Sequence, residues 1–254
     1  MDILQAIIIG IIEGFTEFLP ISSTGHMIVA SKFLGVDQSA VVKAYEVIIQ
    51  FAAILAVVLL YRDKINFKEI NLWSKIISAF LPLAIIGFIL KDWVKEAFNV
   101  QTVAYMFIVG GIIFLIVEYF HKDEKSTAQE IEEITWRQAM SIGFAQVLSL
   151  IPGTSRAGST IIGGMLSGVS RKASTEFSFL LAIPVMIAVS GYDLLKHYKE
   201  FLHADIIAFS IGFLVAFVVA YITIKMFIVF LQRFTFVAFG VYRIIFGVIL
   251  LMII

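Results

Sequence analysis

The stretch EGFTEFLPISSTGH, residues 13–26, places Glu13, Glu17, the hydroxyl run Ser22, Ser23, Thr24 and a histidine, His26, inside an otherwise apolar segment. Glu13 and Glu17 lie four apart, on one face of a helix, where two like charges repel unless they share a proton, bond to helix partners or hold a cation. Glutamate oxygens suit Mg²⁺ or Ca²⁺, with a substrate phosphate completing the shell. His26 follows three residues after Ser23, a spacing that serves a Ser–His or Glu–Ser–His relay as well as it serves a plain hydrogen bond between helices.

A second polar cluster, PGTSRAGST at 152–160, interrupts another apolar run. Burying the Arg156 guanidinium in a membrane costs at least ~2.5 kcal/mol on insertion scales. Bidentate phosphate binding would justify it; an ion pair with Glu13 or Glu17 is the structural alternative. Backbone N–H groups at the helix starts, with Ser22, Ser23, Thr24, Thr154, Ser155 and Ser159, would make a donor-rich lining suited to an oxyanion.

The elements that must hold these residues are membrane helices. The chain has 254 residues, 60% of them hydrophobic, and a mean hydropathy of +0.98, values far from those of a soluble domain. A net charge of zero gives no ground for a nucleic-acid partner, and the absence of cysteine excludes disulfides and thiolate chemistry. The start, MDILQAIIIGIIEGF, has no Lys or Arg ahead of its apolar run, so we expect no cleaved signal peptide and a mature protein that begins here.

Six segments approach the roughly 20 apolar residues of a span: 44–61, 75–90, 100–119, 174–195, 205–225 and 234–254. Pro82 and Pro184 predict kinks in the second and fourth. Two further stretches, 3–32 and 138–169, are each broken by Pro and a Ser/Thr/Gly cluster, and their short arms predict re-entrant hairpins. The breaks match when aligned on their prolines, EFLPISSTGH with SLIPGTSRAG. Gly10 and Glu13 find counterparts in Gly143 and Gln146 once a gap is allowed, and Glu46 stands opposite Glu176.

The fold expected is therefore an all-α polytopic membrane protein and one membrane domain over 1–254, built as a duplication: repeat one about 1–121, a polar linker about 122–133, and repeat two about 134–254. One hairpin plus three crossings per repeat inverts the second copy, so six transmembrane helices frame two re-entrant hairpins meeting near the midplane. The linker run HKDEKSTAQEIEEI reads as a solvated surface loop. Of the connecting Lys and Arg, Arg62, Lys64, Lys68, Lys75, Lys122, Lys125, Arg137, Arg171, Lys172, Lys225 and Arg233 fall on one side, against Lys32, Lys43, Lys91, Lys95, Lys196 and Lys199 on the other. That bias makes the first side cytoplasmic and turns both termini and the mouth of the first hairpin outward. Glu46 and Glu176 read as helix N-terminal carboxylates, while Glu118, Asp193, His121, His197 and His203 read as interfacial. Arg243 lies mid-span and needs an inward partner that the sequence does not name.

On residues alone, these parts suit phosphoryl chemistry or anion transport. EGFTEFLPISSTGH together with LIPGTSRAGST, and EFSFLLAIPVM at 176–186, resembles the signature motifs of the undecaprenyl pyrophosphate phosphatase (bacitracin-resistance) family of bacterial inner-membrane proteins, with no departure at Glu13, Glu17, Ser22, Ser23, Thr24, Gly25 or His26. The resemblance covers nearly the whole chain. It implies removal of the terminal phosphate from a C55 polyprenyl diphosphate, recycling the lipid carrier for peptidoglycan and other cell-wall polymers. By the same resemblance, Ser23 is the nucleophile, Glu17 the base or metal-linked carboxylate, and His26 a proton shuttle or the rival nucleophile. Glu13 joins Glu17 in binding a divalent cation, Mg²⁺ or Ca²⁺. Ser22, Thr24, Gly25, Thr154, Ser155 and Ser159 line the phosphate site, and Arg156 clamps the diphosphate. The implied partners are the lipid substrate and the bilayer, with a homodimer left open, and the implied site faces the periplasm. A transporter or flippase of a lipid phosphate is the competing reading, because inverted repeats with broken helices are also transporter architecture.

Overall fold

A computed structural model describes residues 1–36, 40–201 and 205–253. His203 lies outside the described residues, as do residue 254 and the side chains of Lys43, Asp193, His197 and Lys199. The molecule is an all-α polytopic membrane protein, and no strand occurs among the described residues. Eleven α-helices run in chain order among those residues: α1 Ile3–Thr16, α2 Ser23–Phe33, α3 Ala40–Leu60, α4 Ile70–Ile89, α5 Lys91–Ala97, α6 Val100–Phe120, α7 Trp136–Gln146, α8 Arg156–Leu166, α9 Arg171–Phe201, α10 Ile206–Leu231 and α11 Val237–Ile253.

Among the described residues, four stretches are long and apolar enough to cross a membrane: Phe67–Ile89, Val100–Phe120, Arg171–Lys196 and Ile206–Leu231. The 21-residue α3, with its apolar stretch Tyr45–Leu60, and α11 at Val237–Ile253 are apolar as well. Helix α10 shows the environment plainly. Leu214, Val218, Ile222, Met226 and Val229 all lie at least 44% exposed along one stripe, a surface that water would not tolerate and lipid would solvate. The opposite stripe, Gly212, Ala216, Ala220 and Thr223, is buried.

The two broken stretches each form a helix pair, α1–α2 and α7–α8, with arms of 14, 11, 11 and 11 residues. Helices α4 and α9 run through Pro82 and Pro184, which remain inside them. Between α4 and α6 the chain adds α5, a short charged helix not anticipated in a segment that reads as a simple connection.

Packing relates the halves. Helix α1 lies against α10 and α7 against α4; α3 meets α10 and α9 meets α4; α3 and α9 pair with each other, as do α6 and α11. Exchanging the first half for the second maps each of these contacts onto another or onto itself. Gly10 and Gly143 occupy matching crossings: a Cβ on Gly10 would sit 2.6 Å from the Gly212 carbonyl oxygen, and one on Gly143 would collide with the Ala79 carbonyl. These helices approach backbone to backbone, as small residues allow in membranes.

The linker is less solvated than expected. Ala128, Ile131 and Ile134 are buried in the main core, Ser170 donates to the Ala128 carbonyl at 2.9 Å, and Lys172 pairs with Glu130 at 2.7 Å. Its apolar residues recur every third position, which turns one side of the loop onto the helix bundle. Beside it, Arg171 bonds the buried Glu118 through Nε at 2.9 Å and also pairs with Asp123, while Glu118 accepts the Phe236 N–H at 2.8 Å. Glu118 and His121 thus serve an ion-pair cluster joining α6, the linker, α9 and the start of α11. Glu46 and Glu176 lie in the second turns of α3 and α9, beyond the first turn where the helix dipole favours a carboxylate most.

Candidate active site

Each helix pair is opened by the same local device. Among the described residues only two non-glycine positions have left-handed φ: Ser22 at 67° and Ser155 at 76°. Such backbone costs about 1–3 kcal/mol and persists where surrounding structure imposes it. Each serine stands at the N-cap of the returning helix, α2 or α8. Ser155 Oγ accepts the Gly158 N–H at 3.1 Å, whereas Ser22 makes no side-chain cap, so the first-turn amides of α2 lack that acceptor.

This geometry corrects the alignment on the prolines. The serine before the first helical residue is Ser22 in one half and Ser155 in the other, so Ser23 corresponds to Arg156 and Pro20 to Gly153. One constant separation then relates Gly10 to Gly143, Glu13 to Gln146 and Ser22 to Ser155 with no gap. The misleading signal was proline itself, which punctuates both breaks one residue out of step.

Ser23 and Arg156, the first residues of their helices, meet at one carboxylate. Ser23 Oγ donates to Glu17 Oε2 at 2.6 Å, and Arg156 Nη2 donates to Glu17 Oε1 at 3.0 Å. Arg156 Nη1 is held by the Ser178 carbonyl at 3.0 Å, and its guanidinium lies 5.7 Å from the Phe18 ring centre. The side chains of Arg156 and Glu17 are only 9% and 6% exposed, so their charges interact with little solvent screening. The structural alternative for Arg156, a pair with Glu17, is therefore formed, and it is formed in the lining of a cavity.

That cavity, of about 250 Å³, is lined by Glu17, Ser22, Ser23, Thr24, Ser155 and Arg156, and also by Gln50, Ser149, Pro152 and Gly153. Val94 and Phe98 close one side from α5 and the segment that follows it. Sequence reasoning missed Gln50, although an amide in the apolar run of α3 was a legible signal. The remaining predicted residues lie elsewhere. A Cβ on Gly25 would strike the Phe107 ring, making Gly25 a packing position. Thr154 Oγ1 is buried without a hydrogen-bond partner, and Ser159 Oγ donates to the Ser155 carbonyl at 3.0 Å. Neither lines the cavity.

His26 is turned away from Ser23, so the expected relay contact is not made. Its Nδ1 faces the Ser22 carbonyl at 2.8 Å and its Nε2 the Tyr242 hydroxyl at 2.5 Å, with the ring stacked on Phe246 at 4.5 Å between centres. It lines a separate, almost wholly apolar cavity of about 570 Å³ together with Phe15, Leu19, Tyr242 and Phe246.

Glu13 is fully buried and neither of its oxygens has a hydrogen-bond donor, an arrangement that a cation or a shared proton would satisfy. No group of three or more His, Cys, Asp or Glu side chains that could hold a metal occurs among the described residues, and the carboxylates beside each other at the first break are Glu13 and Glu17. Such a sparse all-oxygen set fits Mg²⁺ or Ca²⁺, which accept water and phosphate as further ligands, better than zinc.

Arg243, which had no named partner, proves to be fully buried in α11 and to donate to backbone carbonyls of both breaks. No sequence signal could show this, since any residue supplies a carbonyl.

Comparison with known proteins extends the picture along the chain. The family described as bacitracin resistance protein BacA matches residues 6–249. A protein of Sulfurovum sp. (strain NBC37-1) named undecaprenyl-diphosphatase is 72% identical over 253 residues, covering 100% of both chains. One of the same name from Sulfurimonas denitrificans is 64% identical, covering 99% of each, and another from Methanococcus aeolicus is 50% identical over 99% of this chain and 98% of its own. With the match spanning nearly every residue and both chain breaks, the chain belongs to the BacA family of bacitracin resistance proteins.

Proposed function

We propose that this protein is an integral-membrane phosphatase that hydrolyses undecaprenyl diphosphate to undecaprenyl phosphate and inorganic phosphate. Full-length relatives carry the name of that activity, and the observation that carries the residue-level reading is Glu17 bridging Ser23 and Arg156 across the two chain breaks. A hydroxyl donating to a buried carboxylate is a nucleophile with its base already in hydrogen-bond reach.

In this reading the terminal phosphate enters the 250 Å³ cavity against Arg156 and the uncapped first-turn amides of α2. Ser23 Oγ attacks the terminal phosphorus while its proton passes to Glu17. The bond from that phosphorus to the bridging oxygen breaks, and its electron pair leaves with undecaprenyl phosphate. Once Glu17 has given that proton up to the departing phosphate, water attacks the phosphoserine. Glu17 takes the water's proton and returns it to Ser23 Oγ as the P–O bond breaks, and orthophosphate and the Ser23 hydroxyl are freed. Phosphoryl transfer depends chiefly on positioning and charge neutralisation, which Arg156 supplies within a site largely closed to water. Glu13 and Glu17 would hold a divalent cation, whose chemistry is to neutralise phosphate oxygens. All of these groups come from one chain, so the reaction needs no second copy. In this reading Ser23 is the nucleophile, and His26, which faces Tyr242, acts on the lipid side of the first break.

The duplication is read as an inverted repeat, with repeats near 1–121 and 134–254, and the bacterial inner membrane as its location with the cavity opening outward. The exchangeable packing of the halves and the charge count of the connections support this. That same packing favours transport of a lipid phosphate as the second reading. The Ser23–Glu17 contact separates the two, since a carrier needs binding groups but no nucleophile with a base. The test is phosphate release from undecaprenyl diphosphate by purified Ser23→Ala. Loss on the order of 10³-fold with the fold retained is expected, and wild-type release from Ser23→Ala would sink the assignment.

A further inference from the structure

Arg243 is a buried cation whose three acceptors are all backbone carbonyls. Nη1 donates to Pro20 O at 3.0 Å, and Nη2 donates to Met106 O at 2.9 Å and to Gly153 O at 3.1 Å. The guanidinium lies 5.3 Å from the Phe107 ring centre, and Nε has no hydrogen-bond partner. Ordinary packing of α11 on α6 would be served by an aliphatic residue, which carries no penalty for entering the membrane interior. The cation must therefore be read through what it holds.

Pro20 lies in the first break and Gly153 in the second. Each stands two residues before a left-handed serine, Ser22 or Ser155, and three before the first residue of the returning helix, Ser23 or Arg156. One rigid fork thus fixes the same point in both breaks. Its surroundings are shaped to admit it. A Cβ on Gly110 would run into Arg243 Nη2, and a Cβ on Gly153, at φ +92°, would lie 2.6 Å from the Val103 carbonyl oxygen. Planar geometry with several donors is what guanidinium provides and ammonium does not.

We propose that Arg243 is a positioning residue: by bonding the Pro20 and Gly153 carbonyls with one guanidinium it locks the two chain breaks in register, so that Ser23 and Arg156 converge on Glu17. The proposal rests on the phosphatase reading above. It touches no substrate and no reacting atom, and it acts through backbone that carries the site.

Two variants test it. Arg243→Lys keeps the charge but gathers its donors on one atom. Gly110→Ala leaves Arg243 in place and displaces its Nη2, while alanine favours the helix, so it tests the contact even if the lysine variant folds poorly. Steady-state phosphate release from undecaprenyl diphosphate, beside thermal unfolding, should show kcat reduced about tenfold or more in Arg243→Lys, since misplacement by about 1 Å can cost on the order of 100-fold. KM should stay within about twofold, because uniform binding is untouched. Gly110→Ala should lower kcat in the same sense, and the double variant should be no worse than Arg243→Lys alone, because both act through one contact. Wild-type kcat in both single variants, additive losses in the double, or a rise in KM with kcat unchanged would overturn the proposal. A wild-type protein that releases no phosphate would instead overturn the phosphatase reading.

Discussion

Ser22 shows at the residue scale how the site is held. It carries φ of 67° without a side-chain cap to offset the strain. Glycine adopts that conformation freely, so Ser22→Gly removes strain and gives up no capping bond. We expect it to be more stable than wild type by ~1 kcal/mol, read as a thermal midpoint higher by a few degrees; a lower midpoint would show that the conformation is not strained. The carboxylates, the hydroxyls and Arg156 were legible as a reactive set because ionisable side chains are rare and costly in a membrane. Their partners were less legible. Sequence spacing put His26 within reach of Ser23, yet the first turn of α2 carries its ring to the other side, onto Phe246 and Tyr242. Gly25 looked like a ligand-approach residue and is a packing one, since only the tertiary fold brings Phe107 to it.

At the scale of elements, the breaks in 3–32 and 138–169 were visible from composition, and the helix pairs begin and end close to where the apolar arms do. The one-residue offset between the breaks was not visible, because it is set by the left-handed serines and not by residue type. The linker's folding onto the bundle was hidden by its charge, although that charge has a use. Burial disfavours the ionised carboxyl of Asp123, but the His121 ring at 3.0 Å, the Arg171 N–H and the Arg171 guanidinium outweigh it and hold the group well below the usual carboxylate range. A carboxylate depressed on folding contributes stability that is complete above the unfolded value of about 3.9 and is lost as pH falls below it. The wild-type thermal midpoint should therefore decline more steeply below about pH 4 than that of Asp123→Asn, which should be a few degrees less stable at pH 7. Parallel acid limbs for the two proteins would contradict that role for Asp123.

For the whole molecule, length and hydropathy established a polytopic membrane protein, and the weak resemblance of the halves anticipated the exchangeable packing of α1 on α10 with α7 on α4. Short α5 escaped because its charged residues read as connection, yet it leads into Phe98 at the cavity. Orientation is open to direct measurement, since the chain has no cysteine to mask an introduced one. In intact cells, Lys95→Cys should react with a membrane-impermeant maleimide and Lys68→Cys only after permeabilisation, both positions being exposed. The reverse pattern would turn the cavity toward the cytoplasm.

The central claim is the proposed phosphoryl hydrolysis at a site where two buried carboxylates, Glu13 and Glu17, are proposed to hold a divalent cation. The most direct measurement is phosphate release from undecaprenyl diphosphate by the purified, folded protein, with excess Mg²⁺ or Ca²⁺ and again with EDTA. The account predicts release that EDTA abolishes and added metal restores; no release in either condition, or release indifferent to EDTA, would contradict it.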